Sequence, residues 1–164
     1  GCGSGMKEYE LLFRGTADEA AAERLSHKVK DVCEFLDRLG MPDPPPLATP
    51  MKVAYQDACH LVHGQKVKAA PRALLQRIPN LTMMEIPDGG YCCGSAGTYN
   101  IDQPEIARSL GERKATAIRS TGAEAVASGN IGCLTQMRTH LQALGADIPV
   151  MHTIEILDRA FGKP

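Results

Sequence analysis

The 164-residue sequence contains no tryptophan, and aromatic residues make up only 4% of it. A hydrophobic core must therefore be built from aliphatic side chains and methionine. The sequence also has no apolar run that approaches the roughly 20 residues needed to cross a membrane, and no charged-then-apolar segment typical of a signal peptide. We therefore expect a soluble cytoplasmic protein without a transmembrane segment.

Neither sign of charge is in excess. Lys and Arg number 18 and Asp and Glu number 19, which gives a formal net charge of −1. A protein that binds nucleic acid irrespective of sequence needs many cations to neutralise phosphates, so we predict no nucleic-acid partner. The apolar fraction of 43% and the chain length are typical of one globular domain, with or without an appendage.

Proline is concentrated in one short segment. Residues 41–50 contain five prolines in ten positions, which predicts a stiff, extended linker. We expect it to separate a helical arm, residues 1–40, from a domain formed by residues 51–164. Within the arm, apolar residues recur at helical spacing and predict a single helix over residues 17–39; they are Leu25, Val29, Val32, Leu36 and Leu39.

After the linker, short apolar runs alternate with helical patterns. The predicted strands are 51–55, 81–86, 125–127 and 150–151, and the predicted helices are 71–78, 104–120, 134–144 and 154–161. This alternation predicts an α/β fold of Rossmann-like βαβ units, with a parallel twisted sheet and helices on both faces. The apolar side of the 104–120 helix is predicted to consist of Ile106, Leu110, Ala117 and Ile118.

Cysteine is plentiful, with six residues, and its placement is informative. In a reducing compartment, clustered cysteines indicate metal binding or redox chemistry rather than disulfides. Because the carboxyl ends of parallel strands meet at one edge of a sheet, the cysteines that follow predicted strands should converge there. These are Cys59, Cys92, Cys93 and Cys133. His152 follows the fourth strand and belongs to the same edge. Cys33, on the arm, is interpreted as a small buried hydrophobic residue.

The surroundings of these cysteines favour thiolates. Glycines flank Cys93 and Cys133, so that the backbone can approach a bulky group and direct N–H donors at sulfur. Cys133 also begins a helix, whose N-terminal partial charge stabilises a thiolate. Thiolates are ligands of zinc and of iron–sulfur clusters.

The spacing of the cysteines separates these possibilities. Between Cys59 and Cys92 lie 32 residues, whereas zinc sites usually show C-x2-C or C-x4-C pairs. An iron–sulfur cluster is therefore favoured, with zinc and a redox-active vicinal dithiol as alternatives. His60 and His63 flank the Cys59 turn and are either hydrogen-bond partners of sulfur or solvated loop residues.

Three longer strings carry a resemblance to a known family. They are Asp57-Ala58-Cys59-His60-Leu61, Tyr91-Cys92-Cys93-Gly94-Ser95-Ala96-Gly97-Thr98-Tyr99 and Gly129-Asn130-Ile131-Gly132-Cys133. Together they resemble the cysteine-rich CCG domain of heterodisulfide reductase and of related oxidoreductases, and look most like the iron–sulfur subunits of glycolate oxidase. The resemblance covers about residues 51–162. In heterodisulfide reductase the motif ends in C-x-x-C, whereas here Cys133 is followed by Leu134, Thr135 and Gln136.

The resemblance implies an iron–sulfur cluster of the 4Fe-4S type. It implies that the ligands are Cys59, Cys92, Cys93 and Cys133, and that the cofactor site also includes Gly94, Asp57 and His60. Proteins of this kind usually carry two copies of the domain. Cys2, which precedes an amphipathic helix as Cys133 does, then resembles the tail of a preceding copy.

The implied function is electron transfer within a glycolate oxidase or other 2-hydroxy-acid dehydrogenase complex. The partners would be flavin-containing dehydrogenase subunits, together with the preceding CCG repeat and a ferredoxin-like domain of a longer chain. Such a component performs no substrate chemistry itself, and its partners can hold it at the inner membrane. Two alternatives stay open: a disulfide or quinone reductase module that uses a cluster or thiols, and a zinc-binding docking domain.

Overall fold

The computed structural model describes residues 2–87, 89–95 and 97–162. In chain order the helices are α1 Cys2–Lys7, α2 Tyr9–Leu12, α3 Glu19–Lys28, α4 Val32–Leu39, α5 Ala69–Gln76, α6 Tyr99–Asp102, α7 Pro104–Ser120, α8 Ile131–Ala143 and α9 Thr153–Phe161, with a π-helical turn at His60–Gly64. The strands are β1 Met51–Tyr55, β2 Leu81–Glu85, β3 Ala125–Ser128 and β4 Val150–His152. In the part of the chain described, no helix is long and apolar enough to span a bilayer.

The four strands form one parallel sheet in the order β2-β1-β3-β4. Val53 is level with Met83 of β2 on one side and with Ala125 of β3 on the other. The predicted α/β fold with a parallel sheet is confirmed. The chain moves outward from β1 to β2 and then crosses back to β3 on the other side of β1, which creates a switch point between β1 and β3.

Each face of the sheet is covered by helices, because side chains alternate between faces along a strand. Ala54 and Val126 point to the face that packs against α7 and α8. Val53 and Tyr55 point to the opposite face, whose core contains residues of α4, α5 and α9. The helices on the two faces bury β3 and the second half of β1, and they leave the carboxyl edge of the sheet for loops.

The long helix α7 presents a different face to the sheet from the predicted one. Its buried residues are Ala107, Gly111, Lys114, Ala115 and Ile118. Ile118 is buried as expected, but the prediction for Ile106 was wrong because half of its side chain is exposed. The helix is rotated so that small residues face α8, which permits close packing of the two helices.

The arm does not contain the single predicted helix over residues 17–39. The chain is extended at Val29, with φ −65° and ψ 123°, and helix α4 restarts after Asp31. The Asp31 carboxylate accepts a hydrogen bond from the Cys33 amide at 2.8 Å, and such a cap stabilises a new helix start. Two helices therefore replace one, although the apolar spacing continues through the break.

The proline-rich segment 41–50 has no helix or strand and packs against the domain. The Leu47 amide donates to the Pro79 carbonyl at 3.1 Å, and the Arg77 guanidinium donates to the Asp43 carboxylate at 2.9 Å. Leu47 itself is buried in the α5 and α9 core. The division into arm, linker and domain at residues 40 and 50 stays a prediction.

Candidate functional site

The four cysteines that follow strands lie at the carboxyl edge of the sheet. The loops after β1 and β3 flank the switch point and supply Cys59 and Cys133, and the loop after β2 supplies Cys92 and Cys93. The Cys92 side chain lies close enough to Cys59 and Cys93, and the Cys93 side chain close enough to Cys133, for each neighbour to shift its pKa. All four are free thiols. The structure thus joins the predicted cysteines in a row of contacts from β1 to α8.

Cys59 begins the π-helical turn His60–Gly64 and is half-buried. The Nδ1 atom of His60 lies 3.5 Å from its sulfur. The imidazole is exposed to water on the side away from the thiol. The structure therefore places His60 at the site, beside one of the predicted ligands.

The turn that carries Cys92 and Cys93 is fixed by backbone contacts. The Gly94 amide donates to the Cys92 sulfur at 3.3 Å. Gly94 has φ +91°, and a Cβ atom there would collide with the Ala107 carbonyl oxygen of α7. Only glycine satisfies both requirements, so that residue 94 lets the cysteine turn lie directly on α7.

Cys133 lies in the first turn of α8. The Asn130 side chain caps this helix and accepts a hydrogen bond from the Cys133 amide at 3.2 Å. A Cβ atom on Gly132 would lie 2.6 Å from the Ser95 Oγ atom, which shows how closely the β2 loop approaches the start of α8. The small residue at 132 therefore allows Cys93 and Cys133 to meet.

The thiols influence one another strongly. The hydrogen bond from the Cys133 thiol is the main cause that lowers the pKa of Cys93 to about 6; burial opposes it, and the Ser95 amide assists it. The same contact with Cys93, followed by burial, raises the pKa of Cys133 above its usual range. Burial also raises the pKa of Cys92, and the Gly94 amide partly offsets that effect. The site stabilises one thiolate at neutral pH and keeps its neighbours protonated.

An open cavity of about 240 Å³ adjoins the thiols and is lined by Cys59, Cys93, Cys133 and residues 130–132. No three or more His, Cys, Asp or Glu side chains in residues 2–87, 89–95 and 97–162 surround a point where one metal ion would fit. A tetrahedral zinc site requires such convergence. A row of thiols with amide donors beside a cavity is instead compatible with a cluster of several irons, whose ligands bind different metal atoms.

Other predicted residues have different surroundings. The Asp57 carboxylate forms an ion pair with Arg72, with Oδ2 2.7 Å from Nη2, and Arg72 also pairs with Glu85 at the end of β2. Asp57 also lines a cavity of about 140 Å³ with Cys59. His152 is at the predicted edge, but its Nδ1 atom accepts a hydrogen bond from the Ile154 amide and caps α9.

The remaining two cysteines are outside the row. Cys33 is 1% exposed in the α5 and α9 core, and burial raises its pKa to about 12. Its interpretation as a buried hydrophobic residue is confirmed. Cys2 is exposed on α1 and lines a separate cavity of about 260 Å³ with Ala58 and Asn130.

Lys114 lies next to the site, although the sequence patterns did not predict it there. This lysine of α7 is fully buried; its ammonium donates to the Gly89 carbonyl at 3.2 Å and lies 4.0 Å from the centre of the Tyr91 ring. The available signal was its position, because residues 107, 111, 114 and 118 lie on one side of a helix. A charged residue on a buried helix face is rare and calls for a partner.

The cysteine-rich domain family, CCG, has a family model that matches residues 53–138. Lactate utilization protein A of Oceanobacillus iheyensis is 35% identical over 161 residues, which is 96% of this chain and 65% of that protein. The glycolate oxidase iron-sulfur subunit of Escherichia coli is 34% identical over 164 residues, 99% of this chain and 39% of that protein.

A third relative is similar over a shorter stretch. A subunit of the fumarate reductase (CoM/CoB) of Methanothermobacter marburgensis is 41% identical over 135 residues, which is 81% of this chain and 27% of that protein. The chain therefore spans less than two thirds of the length of each of these three curated relatives.

Proposed function

The chain belongs to the cysteine-rich CCG domain family, and from this premise we propose that it is an iron–sulfur electron-transfer component of an oxidoreductase. The observation that carries the proposal is the row of four free thiols at the switch point of a parallel sheet, beside an open cavity. Relatives named as iron–sulfur proteins support the same interpretation.

The proposed ligands are the four thiols of the row, Cys59, Cys92, Cys93 and Cys133. When bound, an iron–sulfur cluster takes up and releases single electrons. The chain holds one thiolate ready at Cys93, and its backbone amides at Gly94 and Ser95 donate to sulfur. Such hydrogen bonds raise the reduction potential of a thiolate-bound cluster, because they stabilise the added negative charge.

His60 and Asp57 have supporting roles in this proposal. The His60 imidazole contacts the Cys59 sulfur from the solvent side and screens it. Asp57 acts through Arg72, whose guanidinium ties the loop after β1 to the end of β2. The ion pair thereby fixes the separation between Cys59 and the turn that carries Cys92 and Cys93.

We propose in addition that the cluster is of the 4Fe-4S type and that the complex oxidises glycolate or another 2-hydroxy acid. Flavin-containing subunits would supply the electrons, and this component would pass them to an acceptor in the cytoplasm or at the inner membrane. Names of relatives in glycolate and lactate metabolism support this choice.

Electron transfer can be tested on the chain itself. The protein is loaded with iron and sulfide without oxygen, reduced with photoreduced flavin and reoxidised with a soluble quinone analogue, while visible absorption is recorded. We expect reversible bleaching equivalent to one electron per cluster, retained by Cys33→Ser and lost in Cys59→Ser. Iron that binds but is not reduced by flavin would contradict the proposal.

The open cavity favours one second candidate, a disulfide reductase. In that case the Cys93 thiolate attacks a substrate disulfide and a neighbouring thiol resolves the mixed disulfide, so that two protein thiols become a disulfide and the substrate gains two electrons and two protons. Reduction of a small aromatic disulfide by the metal-free, reduced chain, abolished by Cys93→Ser, would identify this activity.

A further inference from the structure

Lys114 is the one fully buried charged residue among those that the structure describes. Burial of an ammonium group is costly unless hydrogen-bond acceptors and negative charges around it compensate. Among the residues that the structure describes, the ammonium donates to the carbonyl oxygen of Gly89 and lies over the face of the Tyr91 ring. Both belong to the turn that leads into Cys92 and Cys93, so the lysine is directed at the cysteine site.

The contacts of Lys114 fix the position of that turn. The carbonyl of Gly89 and the ring of Tyr91 lie on either side of Gly90, and both are held by the same ammonium group. Arg113 places its guanidinium 4.3 Å from the centre of the same ring. Helix α7 therefore contacts the turn at two points. Lys114 contacts its beginning, at Gly89 and Tyr91, and Ala107 lies directly against its end, at Gly94.

The charge of Lys114 is also near the thiols. Burial lowers the pKa of Lys114, whereas negative charge on the neighbouring thiols, that of Cys93 first, raises it. The Tyr91 ring that the ammonium contacts directly precedes Cys92 in the chain, so this charge lies beside the cysteine turn. A charge in such surroundings is poorly screened by water and acts more strongly than one on the surface.

We propose that Lys114 is a positioning residue that holds the cysteine turn and, through its buried positive charge, raises the reduction potential of the redox group that the thiols bind. The second half of this statement rests on the proposed function. Reduction adds negative charge to a thiolate-bound group, and a nearby buried cation stabilises the reduced form. Loss of the cation then lowers the potential.

The test compares three variants with the unsubstituted chain. Lys114→Met keeps the apolar stem and removes the charge, Lys114→Arg keeps the charge, and Arg119→Met removes an exposed positive charge from the same helix. The midpoint potential is measured after loading with iron and sulfide. Amide hydrogen exchange of residues 89–95 is measured on the metal-free protein, with residues 125–128 of β3 as the check on folding.

For Lys114→Met we expect the equilibrium constant for one-electron reduction to fall at least tenfold, which lowers the midpoint potential by about 59 mV. We also expect amide hydrogen exchange in residues 89–95 to be at least tenfold faster. Arg119→Met should change neither quantity by more than about twofold, because water screens its charge. Lys114→Arg should keep most of the midpoint potential of the unsubstituted chain. If this variant does not fold, the difference between Lys114→Met and Arg119→Met tests the proposal by itself.

Failure of the two proposals can be told apart. A chain without bound iron and sulfide contradicts the proposed function, while exchange in the metal-free turn still tests the positioning role. Unchanged exchange in Lys114→Met overturns that role. A loaded Lys114→Met variant with an unchanged potential overturns the electrostatic role and leaves the proposed function intact.

Discussion

The thiols of Cys93 and Cys133 interact at the carboxyl edge of the sheet, and this interaction lowers the pKa of Cys93 and raises that of Cys133. In the sequence, 39 residues lie between the two cysteines. They meet because the β2 loop lies against the first turn of α8. Their pairing connects the fold to the chemistry, since it is the main cause that favours a thiolate at Cys93.

The lowered pKa of Cys93 predicts how stability depends on pH. Its folded-state pKa of about 6 lies below the usual value of 9.0, so the unfolded chain binds more protons between these values and stability rises with pH across that range. The contribution is lost as pH falls through 6. We expect the free energy of unfolding of the metal-free, reduced chain to increase from pH 6 to pH 8.5.

Cys93→Ser should flatten this increase, and Cys2→Ser, which changes an exposed cysteine, should retain it. Above pH 9 the raised pKa values of Cys92 and Cys133 act in the opposite direction, because the folded state then retains protons that the unfolded chain releases. Denaturant unfolding at several pH values measures both the rise in stability below pH 9 and the opposing effect above it. Equal slopes in the chain and in Cys93→Ser would contradict the assigned pKa.

A graded series of glycine substitutions tests the cysteine turn. Gly94→Ala should lower the free energy of unfolding by about 3 kcal/mol or more, because a positive φ is combined with a collision against the Ala107 carbonyl. Gly97→Ala, with φ +67° and open space, should cost about 1 kcal/mol. Gly90→Ala has room and should cost less than about 0.5 kcal/mol. Urea unfolding gives all three values, and a different order would refute the geometry of this turn.

At the contact between α7 and α8, the effect of Gly111→Ala on the free energy of unfolding should change sign when His140 is replaced. A Cβ atom on Gly111 would collide with the His140 ring, so Gly111→Ala should destabilise the chain by about 1–3 kcal/mol. In a His140→Ala background the collision is gone, and the same substitution should stabilise by up to about 1 kcal/mol, because alanine is the better helix former. Additive effects in this double-mutant cycle would show that the two helices are not in contact at this point.

The sequence was sufficient to predict the sheet, since apolar runs and turn residues marked all four strands. It was also sufficient to place the thiols at one edge, because Cys59, Cys92, Cys93 and Cys133 each follow a strand and parallel topology orders the strand ends. Sequence patterns did not specify the row of contacts among the sulfurs. That arrangement depends on how closely the loops pack at Gly94 and Gly132, which no local pattern encodes.

The errors have a common physical origin in tertiary packing. The apolar spacing through Val29 predicted one helix, but the Asp31 cap begins a second one. Ile106 suggested the wrong buried face for α7, because close packing on α8 selects Ala107 and Gly111 instead. Lys114 was overlooked because a lysine is normally exposed, and only the structure shows the carbonyl and the ring that receive it.

The most direct test of the central claim is the content of iron and acid-labile sulfide in the chain after anaerobic reconstitution, measured together with zinc and with the EPR spectrum of the reduced protein. We predict about four irons and four sulfides per chain, unchanged in Cys33→Ser and lost in Cys93→Ser. One zinc without sulfide, or iron that Cys93→Ser retains in full, would contradict the claim that these four thiols hold an iron–sulfur cluster.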